Sequence, residues 1–264
     1  MSSAWLTKLI PGITYSLRNT TLYASLTDIC HAQQSLLTSR GPTFRMPANS
    51  SFRTLKELNL EDPDTQTVLD ALELAYTNGY ETDTNYATED DLNGITFAGA
   101  GDPLTRADVL CEICSIFKEQ RHGVPVTVST LGLIPASEAM ALVERLDECG
   151  VERMSVFLAA ENPSKYKKTI GPTQDGVGFS DVCNFIALCS EQGIKVTTSA
   201  IEKKGVNVNA IRVRDRPRRC QANEQEHHRD HDTTIMPIYR ALVSRTARGT
   251  SCVVLPGRCS RRHR

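Results

Sequence analysis

The sequence predicts an α/β fold built on parallel strands, and three observations carry that prediction. Between Leu22 and Ala200, short apolar runs of β type alternate with longer stretches whose apolar residues recur at helical spacing. Each strand-plus-helix unit is roughly 30 to 45 residues long, which suits a crossover between parallel neighbours and is far too long for a hairpin. Three helical stretches run into glycine, at Gly123, Gly150 and Gly193, where a left-handed closing residue is least strained.

Along the chain, Leu22 to Thr27 is the first expected strand, and Thr65 to Asn78 a helix with Val68, Leu69, Leu72 and Ala75 on one face. Ile95 to Ala98 is the next strand and leads into a helix over about Thr105 to Gln120. Val124 to Thr130 pairs with a helix from Ala136 to Cys149. Met154 to Ala160 is followed by a longer connection, a helix from Phe179 to Gln192, and a strand from Ile194 to Ala200. Val206 to Ile211 begins another helix. The polar stretch from His31 to Asp64 is longer than an idle connection, which marks it as functional or unstructured.

The chain has 264 residues, 40% hydrophobic and 23% charged, ample for one core. No apolar run reaches the roughly 18 residues of a membrane span. The first nineteen residues lack the basic, apolar and small-residue order of a secretion signal, so the expectation is a cytoplasmic chain without membrane contact. In that setting the nine cysteines read as reduced core thiols rather than a disulfide framework.

The net charge of -1 hides a division. Residues 212–264 carry 13 arginines, no lysine and five acidic residues, whereas residues 1–211 carry 17 basic and 26 acidic ones. The expected organisation is therefore one α/β unit over 1–211 and an Arg-rich tail over 212–264. The tail reads as a disordered appendage, the misread end of a gene, or a basic arm. Cys220, His227 and His231 lie in it without the paired spacing of a zinc finger, and nucleic acid is not the expected partner.

The stretch Ile-Thr-Phe-Ala-Gly-Ala-Gly-Asp-Pro at residues 95–103 is the best candidate for a site. A strand breaks there into Gly99 and Gly101, which admit close backbone approach, and then into Asp102 and Pro103 at a helix start with free N–H groups. Ligands of parallel sheets sit at the carboxyl ends of the strands, so this turn and the loop after the first strand should face one pocket. Asp102 has a second reading, as a helix cap. The lysines Lys165, Lys167 and Lys168 read as a solvated helix face.

Four segments then occur in a familiar order: Tyr15 to Cys30, Gly99 to Leu104, Val126 to Gly132, and Val151 to Ala160. In that order and spacing the chain resembles radical S-adenosylmethionine proteins over roughly residues 13–211, and within them the branch linked to TatD-type nucleases. The resemblance implies a partial (β/α) TIM-type barrel, truncated here after about five strands with a bare edge. It also implies a [4Fe-4S] cluster on three loop cysteines, whose open iron chelates S-adenosylmethionine. By the same resemblance Cys30 is the metal ligand, Gly99, Gly101, Asp102 and Pro103 contact the methionine end of the cofactor, and Thr130 and Ser155 face the nucleoside and substrate.

The chain departs from that pattern at Gln34 and Leu37, which stand where the second and third cluster cysteines belong. Cys111 and Cys114 share a helix face with Leu110 and Ile113 and read as core. Three functions stay open: a degenerate barrel binding S-adenosylmethionine, another nucleotide or a protein partner; an active radical enzyme; and an unrelated (β/α) metabolic enzyme using Asp102, Glu161 or Lys165 as acid or base.

Overall fold

The computed structural model of the chain describes residues 4–17, 21–33, 46, 50–80, 94–201 and 251–255, with Ile201 and 251–255 as backbone. Its seven strands are β1 (Thr14–Leu17), β2 (Thr21–Ala24), β3 (Ile95–Phe97), β4 (Val126–Thr130), β5 (Arg153–Phe157), β6 (Lys195–Ile201) and β7 (Ser251–Leu255). They lie side by side in sequence order. β1 runs antiparallel to β2, and every later neighbour is parallel. Helices α1 (Thr65–Thr77), α2 (Ala107–Gln120) and α3 (Ala136–Glu148) fill the first three crossovers, and α4 (Pro163–Ile170) and α5 (Phe179–Gln192) share the next. Strands added one after another on the same edge are the winding of a partial (β/α) barrel.

The two faces of the sheet separate by chemistry. Leu22, Ile95 and Val126 are in register, as are Ala24, Phe97, Val128, Met154 and Val196, and all are essentially unexposed. They form one core with Val68 and Leu72 of α1, Leu110 and Cys114 of α2, Val143 and Leu146 of α3, and Val182 and Phe185 of α5. The alternating positions Tyr23, Thr96, Thr127, Ser155, Thr197 and Ser199 are half-buried and mostly hydroxylic. Strand periodicity of two puts them on the face away from the helices.

Local chemistry accounts for the element boundaries. The Asp64 side chain accepts from Thr67 N (2.8 Å) and starts α1, and Asn162 does the same for α4 from Lys165 N (3.0 Å), with Pro163 first in the helix. Gly150, Gly171 and Gly193 close α3, α4 and α5 with φ of 86°, 58° and 99°.

α2 ends at Gln120, as the sequence predicts, but its closing residue is Arg121 and Gly123 is not left-handed. Arg121 pairs with Glu73 at 2.8 Å and lies 4.5 Å over the Tyr76 ring. Two short elements escape the sequence pattern. β1 is buried along its whole length and shows no alternation, and α4 lies inside what reads as a connection.

The expected bare edge beside β6 is also corrected. Ser251–Leu255, from the Arg-rich tail, forms a parallel ladder with Thr197–Ile201. Among the described residues no helix is long and apolar enough to cross a membrane.

At the amino end of the strands, Tyr80 closes the sheet. Its hydroxyl donates to Gly94 O (2.7 Å) and accepts from Leu22 N (3.0 Å), while its ring packs on Trp5 and Tyr76. Tyr80→Phe keeps the ring but leaves a buried N–H and carbonyl unpaired, so a loss of about 1–3 kcal/mol is expected in urea unfolding. An unchanged midpoint would show that the two backbone groups find other partners.

Candidate functional site

Three strand-end loops converge at the carboxyl rim. The loop after β2, residues 25–33, lies directly on the glycine turn after β3. Ala98 N donates to Ala24 O (2.9 Å), Gly101 N to Thr27 O (3.1 Å) and Asp102 N to Ile29 O (2.8 Å). The glycines are required by this contact. A Cβ on Gly99 would sit 2.2 Å from Ser25 Oγ, and one on Gly101 2.4 Å from Ile29 O. The close approach anticipated for a ligand is thus made by the chain's own loop.

The same loop is pinned from its other side. Gln33 N donates to Gly171 O (2.8 Å), Thr173 N to His31 O (3.2 Å), and Ala32 bridges Pro172. Below it, Asp28 accepts from Lys56 N (2.8 Å) and Thr27 donates to Asp62 (3.0 Å). Arg106 donates to the carbonyls of Leu26 (2.8 Å) and Pro63 (2.7 Å). Cys30 therefore sits in a short fixed segment at the same end of the strands as Gly101 and Asp102. It is half-buried against the apolar core.

Asp102 joins this turn to the next loop. Its carboxylate accepts from Leu104 N (3.0 Å), capping the 3-10 turn that opens with Pro103, and from Leu131 N (2.8 Å) after β4. Thr130 Oγ1 lies 2.8 Å from both carboxylate oxygens and accepts from Gly132 N at 2.9 Å. Asp102 and Thr130 are 7% and 0% exposed.

Thr130 consequently holds Asp102 rather than facing a solvent-open pocket. Asp102 acts as the cap that the sequence offered as its second reading. Burial raises its carboxyl above the ordinary range, opposed by the Leu131 and Leu104 N–H groups, Thr130 and His31.

Ser155 lies on the hydroxylic face, in register with Ser129 and Thr197 and two residues short of the end of β5. It stays half-exposed. Lys165 pairs with Glu161, while Lys167 and Lys168 are exposed, as a solvated helix face requires.

Tyr166 between them is a residue the sequence reading passed over. It is fully buried, and among the described residues its hydroxyl has no hydrogen-bond partner. Burial drives its acidity down, followed by the nearby Asp102, Cys183 and Cys30. The available signal was one aromatic among lysines on a short helix.

Cys111, Cys114, Cys149 and Cys189 are core thiols, as their spacing implies. Gln34, Leu37, Cys220, His227 and His231 lie outside the described residues. Among the described residues, no three His, Cys, Asp or Glu side chains form a group that could hold a metal ion.

No family model matches the chain. Over 108 residues, 40% of its length, it is 32% identical to a GTP 3',8-cyclase from Rhizobium etli (strain CIAT 652), and that stretch covers 29% of the cyclase. Among solved structures it is similar to a radical SAM methyltransferase from Sphaerobacter thermophilus (17% identity, TM-score 0.48, 89% of this chain and 55% of that one). It is also similar to the radical S-adenosylmethionine methyltransferase TsrM from Kitasatospora setae, solved with cobalamin and a [4Fe-4S] cluster bound (12% identity, TM-score 0.41, 73% of this chain and 31% of that one). The chain spans less than a third of the curated relative and about half of the first structure.

Two substitutions test the rim. Gly101→Ala must push the Ile29 backbone away, and a loss of roughly 1–3 kcal/mol is expected by denaturant titration. For Asp102 the sign follows from its raised acidity constant. The unfolded carboxyl ionises near 3.8 while the folded one still holds its proton, so the stability it contributes is present below that pH and falls as pH rises. The stability of the parent chain relative to Asp102→Asn should therefore decline from about pH 3.5 upward. A gap that widens with pH would mean that the N–H donors outweigh burial.

Proposed function

We propose that this chain belongs with the radical S-adenosylmethionine proteins, and that its rim binds S-adenosylmethionine or a related nucleotide without a complete iron–sulfur site. The observation that carries the reading is the hydroxylic face: Thr96, Thr127, Ser155, Thr197 and Ser199 stay half-exposed on the helix-free side of a parallel sheet. Parallel strands are ordinarily apolar on both faces. Hydroxyls left half-open beneath converging loops provide donors and acceptors for a ribose and other polar parts of a nucleotide. The order of the sequence motifs and the 32% identity to the cyclase segment support the same family. The TatD-linked branch rests on those motifs alone.

The donor set argues against the cluster. A cubane needs three thiolates and the loop supplies Cys30, with an amide at Gln34 and an alkyl chain at Leu37 in place of the others. The (β/α) acid–base alternative is weaker, because Asp102 is committed to capping and Glu161 to Lys165. Within the reading, Ser155 is a nucleoside contact, Gly99, Gly101, Asp102, Pro103 and Thr130 shape the rim, and Cys30 lines it. A protein partner is the second kind of ligand this rim would take.

Calorimetric titration with S-adenosylmethionine, S-adenosylhomocysteine and adenosine tests the proposal, alongside anaerobic reconstitution with iron and sulfide. Saturable binding of at least one adenosine compound is expected, weakened roughly tenfold or more by Ser155→Phe in a chain that keeps its unfolding midpoint. Iron should stay well below a cubane complement. A full [4Fe-4S] complement with its charge-transfer absorbance would establish the active-enzyme reading instead. Absence of binding by all three compounds would overturn the nucleotide site.

A further inference from the structure

We propose that the helix-free face takes a phosphorylated nucleotide, a nucleoside 5'-phosphate whose phosphate groups are held by Arg153 and Lys195 at the start of β5 and β6. The inference rests on the nucleotide reading of this face and names the kind of nucleotide. The register aligns Tyr23 with Thr96, Thr96 with Thr127, Thr127 with Arg153, and Arg153 with Lys195. One row thus crosses five strands and ends in two adjacent cations. Strand alternation puts the row on the same face as Ser129, Ser155, Thr197 and Ser199, because the intervening Val128, Met154 and Val196 belong to the core under the helices. Arg153 is half-buried and Lys195 exposed.

Like charges side by side on neighbouring strands repel, and the strands themselves place no acid nearby to offset them. Every other residue that β1 to β6 put on this face is uncharged. The face therefore carries a positive field at the start of β5 and β6, which an anion relieves. This separates the candidate ligands by charge. S-adenosylmethionine brings a sulfonium and an ammonium against one carboxylate and is net positive, adenosine is neutral, and a nucleoside phosphate is negative. The spacing suits the last of these. Ser155 and Thr197 lie two residues beyond Arg153 and Lys195 on the same strands, about 7 Å further along. Hydroxyls that meet a ribose and cations that meet its 5'-phosphates then fall on one ligand, with charge-assisted hydrogen bonds at the phosphate end.

The full-length chain is titrated calorimetrically with adenosine, S-adenosylmethionine, ATP and inorganic tripolyphosphate, at low and at raised salt. ATP should bind roughly tenfold or more tighter than adenosine or S-adenosylmethionine, and the preference should shrink as salt rises. The double variant Arg153→Gln with Lys195→Gln should bind ATP no tighter than adenosine. Lys195→Glu, a change at an exposed position that the fold tolerates, should weaken ATP more than Lys195→Gln does. Adenosine or S-adenosylmethionine binding as tightly as ATP would overturn the phosphate assignment and leave the nucleotide reading standing. Tripolyphosphate binding as tightly as ATP would overturn it too, by reducing the site to a bare anion patch. A chain that binds none of the three adenosine compounds would overturn both.

Discussion

The rim depends on the contact between the glycine turn and the loop after β2. Thr27 O and Ile29 O accept from Gly101 N and Asp102 N, and no side chain larger than hydrogen fits at Gly99 or Gly101. With that contact made, Cys30 and His31 are fixed relative to β3. The backbone is then delivered to Asp102, whose carboxylate reaches across to Leu131 and Thr130. Three loops that share no sequence proximity thus become one body through two glycines and one buried acid. Removing the acid would unlink the second and third loops, while enlarging a glycine would lift the first.

Why a buried carboxylate should serve as this link follows from its capacity. A single carboxyl can satisfy the N–H of Leu104 at a helix start, the N–H of Leu131 in a neighbouring loop, and a hydroxyl. Desolvation raises its acidity constant, and the neutral form lowers the cost of burying it. A group serving in this way has little capacity left for acid–base chemistry. Tyr166 is the opposite case: its hydroxyl is buried near Asp102 and Cys30 with no hydrogen-bond partner among the described residues. Such groups cost stability where they stand, and this one stands under the rim.

The architecture was legible in the sequence because its periodicities are long. α1, α3 and α5 start or stop at a capping side chain or glycine that can be named, and β3 to β6 fall within a few residues of the expected runs. What the pattern missed is short or non-local. β1 is four fully buried residues, too few to show a period. Gly123 looked like the left-handed closing residue of α2, whereas the helix, ending at Gln120 as expected, is capped at Arg121, whose side chain meets Glu73 and Tyr76 of another helix. At the site, Gly99 and Gly101 were legible as places of close approach, although what approaches them is Ser25 to Ile29. That identity lies in the pairing of distant segments, which spacing does not encode. The role of Thr130 was hidden for the same reason.

The tail and the rim pose one question at two scales, namely what replaces a missing partner. Beside β6 an unpaired strand edge would leave N–H and carbonyl groups open, and Ser251–Leu255 supply the ladder despite the Arg-rich text preceding them. At the rim, Cys30 stands without loop thiols at Gln34 and Leu37. Yet its loop is already held on one side by the glycine turn and on the other by Gly171 to Thr173. Backbone hydrogen bonds on both flanks thus hold that segment in place by its own chain, at the same end of the sheet as the half-buried hydroxyls of β5 and β6.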